Sequence, residues 1–154
     1  METNRKEKLQ SLVEEIRYDV DEKTAAKLEL DKCNRIIERL ASFENDCELC
    51  QEYLGKIEDQ LITINEKKES LTKHDIKEHY KVTEEISSHL QKEHKLVPSG
   101  YYMGLYMSIG MSFGLLFGLL LFDNVAIGLP LGMVIGMAIG TGKDSEVKKK
   151  GSVI

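Results

Sequence analysis

Cys47-Glu-Leu-Cys50 is the short motif of this chain whose residue types suit chemistry. It opens a stretch with helical apolar spacing, and the positive end of a helix lowers the pKa of a thiol placed there. On that reading Cys47 is a reactive thiolate and Cys50 resolves it. A second reading makes the sulfurs metal donors. Cys33, Cys47 and Cys50, with one of His74, His79, His89 or His94, complete four ligands for zinc. A third reading makes Cys47 and Cys50 small hydrophobes, because they share a seam with Leu54, Ile57, Leu61 and Ile64 and free cysteine is often buried.

Packing is the expectation, with zinc and thiol redox chemistry as the alternatives. A second Cys-x-x-Cys is missing, and no βαβ pattern supports a thioredoxin-like site. The histidines lack metalloprotease spacing and read as solvated helix faces. The chain has no phosphate-binding glycine loop, nucleophile elbow or convergent carboxylate pair. The expectation is therefore no enzyme, and no cofactor beyond that zinc.

The elements that would position these residues are helical. Leu9, Leu12, Val13, Ile16 and Val20 follow three- and four-residue spacing, as do Ala26, Leu30, Cys33, Ile37 and Leu40, with Asp21 to Thr24 a candidate break between them. Phe43-Glu-Asn-Asp46 reads as a turn, with Asn45 or Asp46 as N-cap of the helix that carries Cys47, Cys50, Leu54, Ile57, Leu61 and Ile64. Thr72-Lys-His-Asp75 resembles a capping box and starts a helix with Ile76, Tyr80, Ile86 and Leu90 on its apolar side. Together these predict an antiparallel bundle of three or four helices over residues 1–97.

Val97-Pro98-Ser99-Gly100 breaks the pattern, and the composition changes after it. Residues 98–100 read as a linker, 101–141 as a transmembrane hairpin and 142–154 as a basic cytoplasmic tail. From Tyr101 to Thr141 the one ionisable charge is Asp123, and apolar runs of this length are read as membrane spans. The segment Tyr101 to Phe122 reaches roughly 33 Å at 1.5 Å per residue, enough for a hydrocarbon core of about 30 Å. Val125 to Thr141 reaches roughly 25 Å, at the short end of the spanning range, and is expected to span with local thinning or help from its flanks. Asp123-Asn124 forms the apex. Lys92 and Lys95 precede the hairpin, Lys143, Lys148, Lys149 and Lys150 follow it, and the turn has no Lys or Arg. The positive-inside rule then predicts a two-pass protein of the inner (plasma) membrane with both termini cytoplasmic. Lys148, Lys149 and Lys150 serve as that topology signal and can rest on anionic lipid headgroups.

The glycines predict how the hairpin packs. Gly128, Gly132, Gly136 and Gly140 form a ridge on the second helix, while Gly104-Ser108-Ser112 and Gly110-Gly114-Gly118 form two stripes on the first. Small residues let membrane helices approach closely. Three such surfaces on two helices exceed what one hairpin needs, so a homo-oligomer or another protein is expected on the remainder.

The net charge of −5 comes from the first hundred residues, where acids outnumber bases, and gives no footprint for nucleic acid. Three cysteines, an odd number, fit a reducing compartment. The opening residues from Met1 have no apolar core, so no signal peptide is expected.

Ser88-His-Leu-Gln-Lys-Glu-His-Lys-Leu-Val97, Gly110, Gly114 and Gly118, and Asn124-Val-Ala-Ile-Gly-Leu-Pro-Leu-Gly132 with the later glycines resemble a group of small bacterial glycine-zipper membrane proteins. The Cys47/Cys50 pair is similar to that group's front domain. The resemblance implies architecture and no activity. The functional expectation is an integral membrane protein with a self-associating hairpin and a cytoplasmic helical domain that binds a partner. An oligomeric channel or pore, and a membrane-anchored thiol or zinc sensor, are the alternatives.

Overall fold

Asp21 divides the front of the chain as its polar side chain suggests. Its carboxylate accepts N–H groups from Lys23 at 2.9 Å and Thr24 at 3.1 Å, so one helix ends and another starts there. The computed structural model describes residues 2–154, with side chains from residue 5. The reading that no signal peptide opens the chain rests in part on Met1 to Asn4, which lie outside the residues described to their side chains. Seven helices and no strand account for the described residues, so the class is all-α. They fall into two compact units, one running to Lys95 and taking in Ile154, the other Leu96–Val153.

The first unit holds α1 (Glu2–Asp19), α2 (Glu22–Lys27), α3 (Leu30–Phe43), α4 (Glu48–Glu66) and α5 (Lys73–Glu93). α3 and α4 pack on each other, and α1 and α5 each pack on both. Leu9, Val13 and Ile16 meet Ile36, Ile37 and Leu40 of α3 and Leu54, Ile57, Leu61 and Ile64 of α4 in a core shielded from solvent. Fully burying one such side chain is worth about 1.5–3 kcal/mol, and packing on this shared core is what stabilises the helices. At the surface, Arg5 joins α1 to Glu58 of α4 at 3.1 Å.

Two local expectations need correction. The N-cap of α4 is Cys47, not Asn45 or Asp46. Its backbone is extended, with φ −140° and ψ 109°, and its side chain makes no capping hydrogen bond. On α5 the capping box forms between Thr72 and Asp75, but the buried stripe is His79, Thr83, Ile86, Ser87 and Leu90. Tyr80, expected inside, is 49% exposed and has the Lys32 ammonium over its ring. The buried polar groups are tolerated because carbonyls meet them: Thr83 Oγ1 donates to Tyr80 O at 3.0 Å, and Ser87 Oγ to Thr83 O at 2.7 Å.

The second unit holds α6 (Tyr101–Phe122) and α7 (Val125–Lys149), both long and apolar enough to cross a membrane. Between them Asp123 takes a left-handed φ of 46° and Asn124 caps α7 by accepting Ala126 N–H at 3.0 Å. α7 does not stop at Thr141. It runs 25 residues, because Lys143 and Lys150 pair with Glu146 at 3.0 and 2.7 Å and Lys148 and Lys149 suit the negative end of the helix. The helix therefore continues about two turns past the apolar stretch, and Lys150 is held by Glu146 rather than free.

Candidate metal centre and membrane zipper

The zipper is built from backbone against backbone. A methyl group on Gly110 or Gly114 would strike the carbonyl oxygen of Gly132 or Gly128, and one on Gly118 would lie 2.8 Å from Gly128 Cα. Gly136 meets the backbone at Tyr106, and Gly140 meets it at Met103. The ridge from Gly128 to Gly140, offered by the sequence as a surface for another copy, is covered within its own hairpin. Gly104 has nothing within 4 Å, and Ser108 and Ser112 are exposed, so that stripe alone is uncovered. The Ser108 and Ser112 hydroxyls donate to carbonyls one turn back, at 2.9 and 3.0 Å. Beside the ridge runs an apolar groove of 370 Å³ lined by Phe113, Phe117, Leu131 and Ile135 among others.

One polar group completes the hairpin. Gly100 caps α6 without a side chain, and Asp144 of α7 supplies the missing acceptor, taking N–H groups from Tyr102 and Met103 at 3.0 Å each. Sequence reasoning placed Asp144 in a tail. Its signal was indirect, a helix start with no capping side chain nearby.

In the first unit, Cys47, Cys50, His89 and His94 converge, with their donor atoms all within 4.8 Å of one another. Cys47 is the N-cap of α4 and Cys50 sits in its first turn; His89 lies near the end of α5 and His94 is its C-cap. Cys50 Sγ is 3.3 Å from His94 Nε2 and 3.5 Å from His89 Nε2, and Cys47 Sγ is 3.4 Å from His89 Nε2. Two rings wall the cluster. Phe43 stacks on His94 with centroids 3.9 Å apart, and Tyr53 tilts against His89 at 5.3 Å. Burial pushes the Cys50 thiol up to about 12, and burial together with the neighbouring His89 lowers His94.

The other sequence candidates lie elsewhere. Cys33 is fully buried on α3 with its thiol pushed up to about 12, and is not among the four. His79 is buried against Leu28 O, while His74 is paired with Glu78 on the surface. The motif reading missed His89 and His94 as a pair. Their spacing, His-x4-His, falls in the range of structural zinc sites that begin with Cys-x2-Cys.

No curated protein and no solved structure matches the chain. Residues 98–145, which hold the whole ridge and Asp144, are similar to the family described as Glycine zipper membrane protein.

Proposed function

We propose that the chain is a non-enzymatic, two-pass protein of the plasma membrane, with both termini in the cytoplasm, whose hairpin anchors a helical domain that binds a protein partner. The observation that carries this reading is the closed zipper. Gly110, Gly114 and Gly118 are spent against Gly128, Gly132 and Gly136 of the same chain, so the hairpin is complete as an anchor by itself. Lipid chains suit the apolar groove beside it. Lysines before α6 and after the apolar part of α7, with none at Asp123-Asn124, favour the cytoplasmic ends. Tyr18, at 91% exposure, and Leu49 are apolar side chains open to a partner.

Self-association keeps one surface, Gly104-Ser108-Ser112, whose hydroxyls are turned back onto their own helix and leave it smooth. The same inward-turned hydroxyls weaken the pore alternative, because no Asp, Glu, Lys, Arg or His lies between Tyr101 and Phe122 to line a conducting path.

Labelling with a membrane-impermeant maleimide tests the anchor. In intact cells Asp123→Cys should label from outside, and Ser152→Cys only after permeabilisation; the reverse pattern overturns the orientation. For self-association, Ser108→Cys in lipid vesicles should crosslink between copies. Crosslinking no greater than that of Leu120→Cys would remove the stripe as an interface.

A further inference from the structure

We propose that Cys47, Cys50, His89 and His94 bind one zinc ion in a closed, structural site that ties the start of α4 to the end of α5. The donor set is two sulfurs and two imidazole nitrogens, which suits zinc and excludes the oxygen-seeking calcium and magnesium. With Zn–S of about 2.3 Å and Zn–N of about 2.0 Å, tetrahedral coordination places sulfur and nitrogen about 3.5 Å apart. Three of the four sulfur–nitrogen distances, 3.3, 3.4 and 3.5 Å, are already those edges, and all donor atoms lie within 4.8 Å of one another. Both histidines present Nε2 to the common point.

Thiol-to-imidazole hydrogen bonds alone would account for single contacts. They do not account for the crossing pattern, in which Cys50 Sγ faces two nitrogens and His89 Nε2 faces two sulfurs. An imidazole nitrogen has one in-plane site, a hydrogen or a lone pair, so the two sulfurs that face His89 Nε2 must share it. A cation at the centre resolves it, and two thiolates with two neutral imidazoles balance a dication.

The local structure also departs from what helix formation alone favours. An N-cap position prefers Ser, Thr, Asp or Asn, and Asp46 stands one residue away. The chain instead starts α4 at Cys47, whose side chain leaves the cap unmade. At the other end, Lys95 follows His94 in the left-handed region at φ 56°, an uncommon conformation for a residue with a side chain. Both departures bring ligands to one point.

Four protein donors fill a tetrahedron, so no position is left for water or substrate, and the site is structural rather than catalytic. Phe43 and Tyr53 hold the two imidazoles from outside. His94 closes the last helix before the membrane hairpin. The metal fixes where the chain leaves the bundle.

The test uses the full chain in detergent micelles, stripped by chelator and titrated with zinc or cobalt(II) chloride. One equivalent should bind, and cobalt should give the visible bands of tetrahedral coordination with thiolate charge transfer in the near ultraviolet. Cys33→Ala should keep this signal. His89→Gln and His94→Gln should each lose at least about 100-fold in affinity, since even outer partners of a ligand are worth about 10–100-fold. Alkylation followed by mass spectrometry reads the native chain directly: zinc should protect Cys47 and Cys50 together. Stoichiometric binding that survives Cys47→Ser/Cys50→Ser, an octahedral cobalt spectrum, or equal alkylation with and without zinc would overturn the site.

Discussion

Cys50 Sγ lies 3.3 Å from His94 Nε2, although the two residues are 44 apart in sequence. That contact closes the open end of the bundle, where the first turn of α4 meets the last of α5. The ring of Phe43, at the end of α3, stacks on His94 at 3.9 Å and fixes its plane. The Phe43→Ala variant should therefore fold yet hold zinc about 10–100-fold less tightly, as expected when the outer support of a ligand is removed. Competition with a chromophoric chelator measures this, and an unchanged affinity would show that Phe43 has no part in positioning His94.

The two kinds of glycine in the hairpin should respond oppositely to alanine. At Gly132 of α7 the added methyl meets Gly110 O and lies 2.7 Å from Gly114 Cα, so Gly132→Ala forces the helices apart at a cost of about 1–3 kcal/mol. At Gly104 the methyl meets nothing, and Gly104→Ala should stabilise its helix by up to about 1 kcal/mol. Unfolding in mixed detergent micelles separates the two. Equal midpoints for both variants would mean that the zipper contact is not what holds the hairpin.

Asp144 predicts a more local loss. Its carboxylate accepts two N–H groups at the bare start of α6, from Tyr102 and Met103. Asp144→Ala should cost about 1–2 kcal/mol, the range for a helix cap, and should speed amide exchange there. Exchange in that first turn at the wild-type rate would show that water replaces the carboxylate without loss.

What the sequence made legible was what neighbours in sequence decide. The α4 seam from Cys50 to Ile64, the Thr72/Asp75 box and the glycine ridge all follow from spacing within a few turns. What it hid depends on residues far apart meeting in space. The Cys47/Cys50 pair was visible, but it was joined to Cys33, which packs as an apolar core residue on α3. The histidines that complete the cluster lie about forty residues later and look solvated when read alone. Asp144 reads as one charge among a basic tail until α7 is seen to continue through it. On α5, choosing apolar residues favoured Tyr80 over His79, because nothing local shows that Leu28 O is waiting for the imidazole.

That imidazole sets the last prediction. His79 is 1% exposed, and its Nε2–H donates to Leu28 O at 3.1 Å. Nδ1 is then a buried acceptor without a hydrogen-bond partner, so protonation would place a charge where nothing receives it. Burial accordingly lowers the pKa of His79 from 6.5. The unfolded chain binds this proton more readily than the folded one. Stability is therefore full above about pH 6.5 and falls as the pH drops toward the folded value, by at most about 1.4 kcal/mol per pH unit. Acidification also weakens any metal bound through imidazole, so the comparison belongs in metal-free protein. There, His79→Gln should flatten the fall in denaturation midpoint between pH 7 and pH 5. An equally steep fall in that variant would assign the acid sensitivity to other groups.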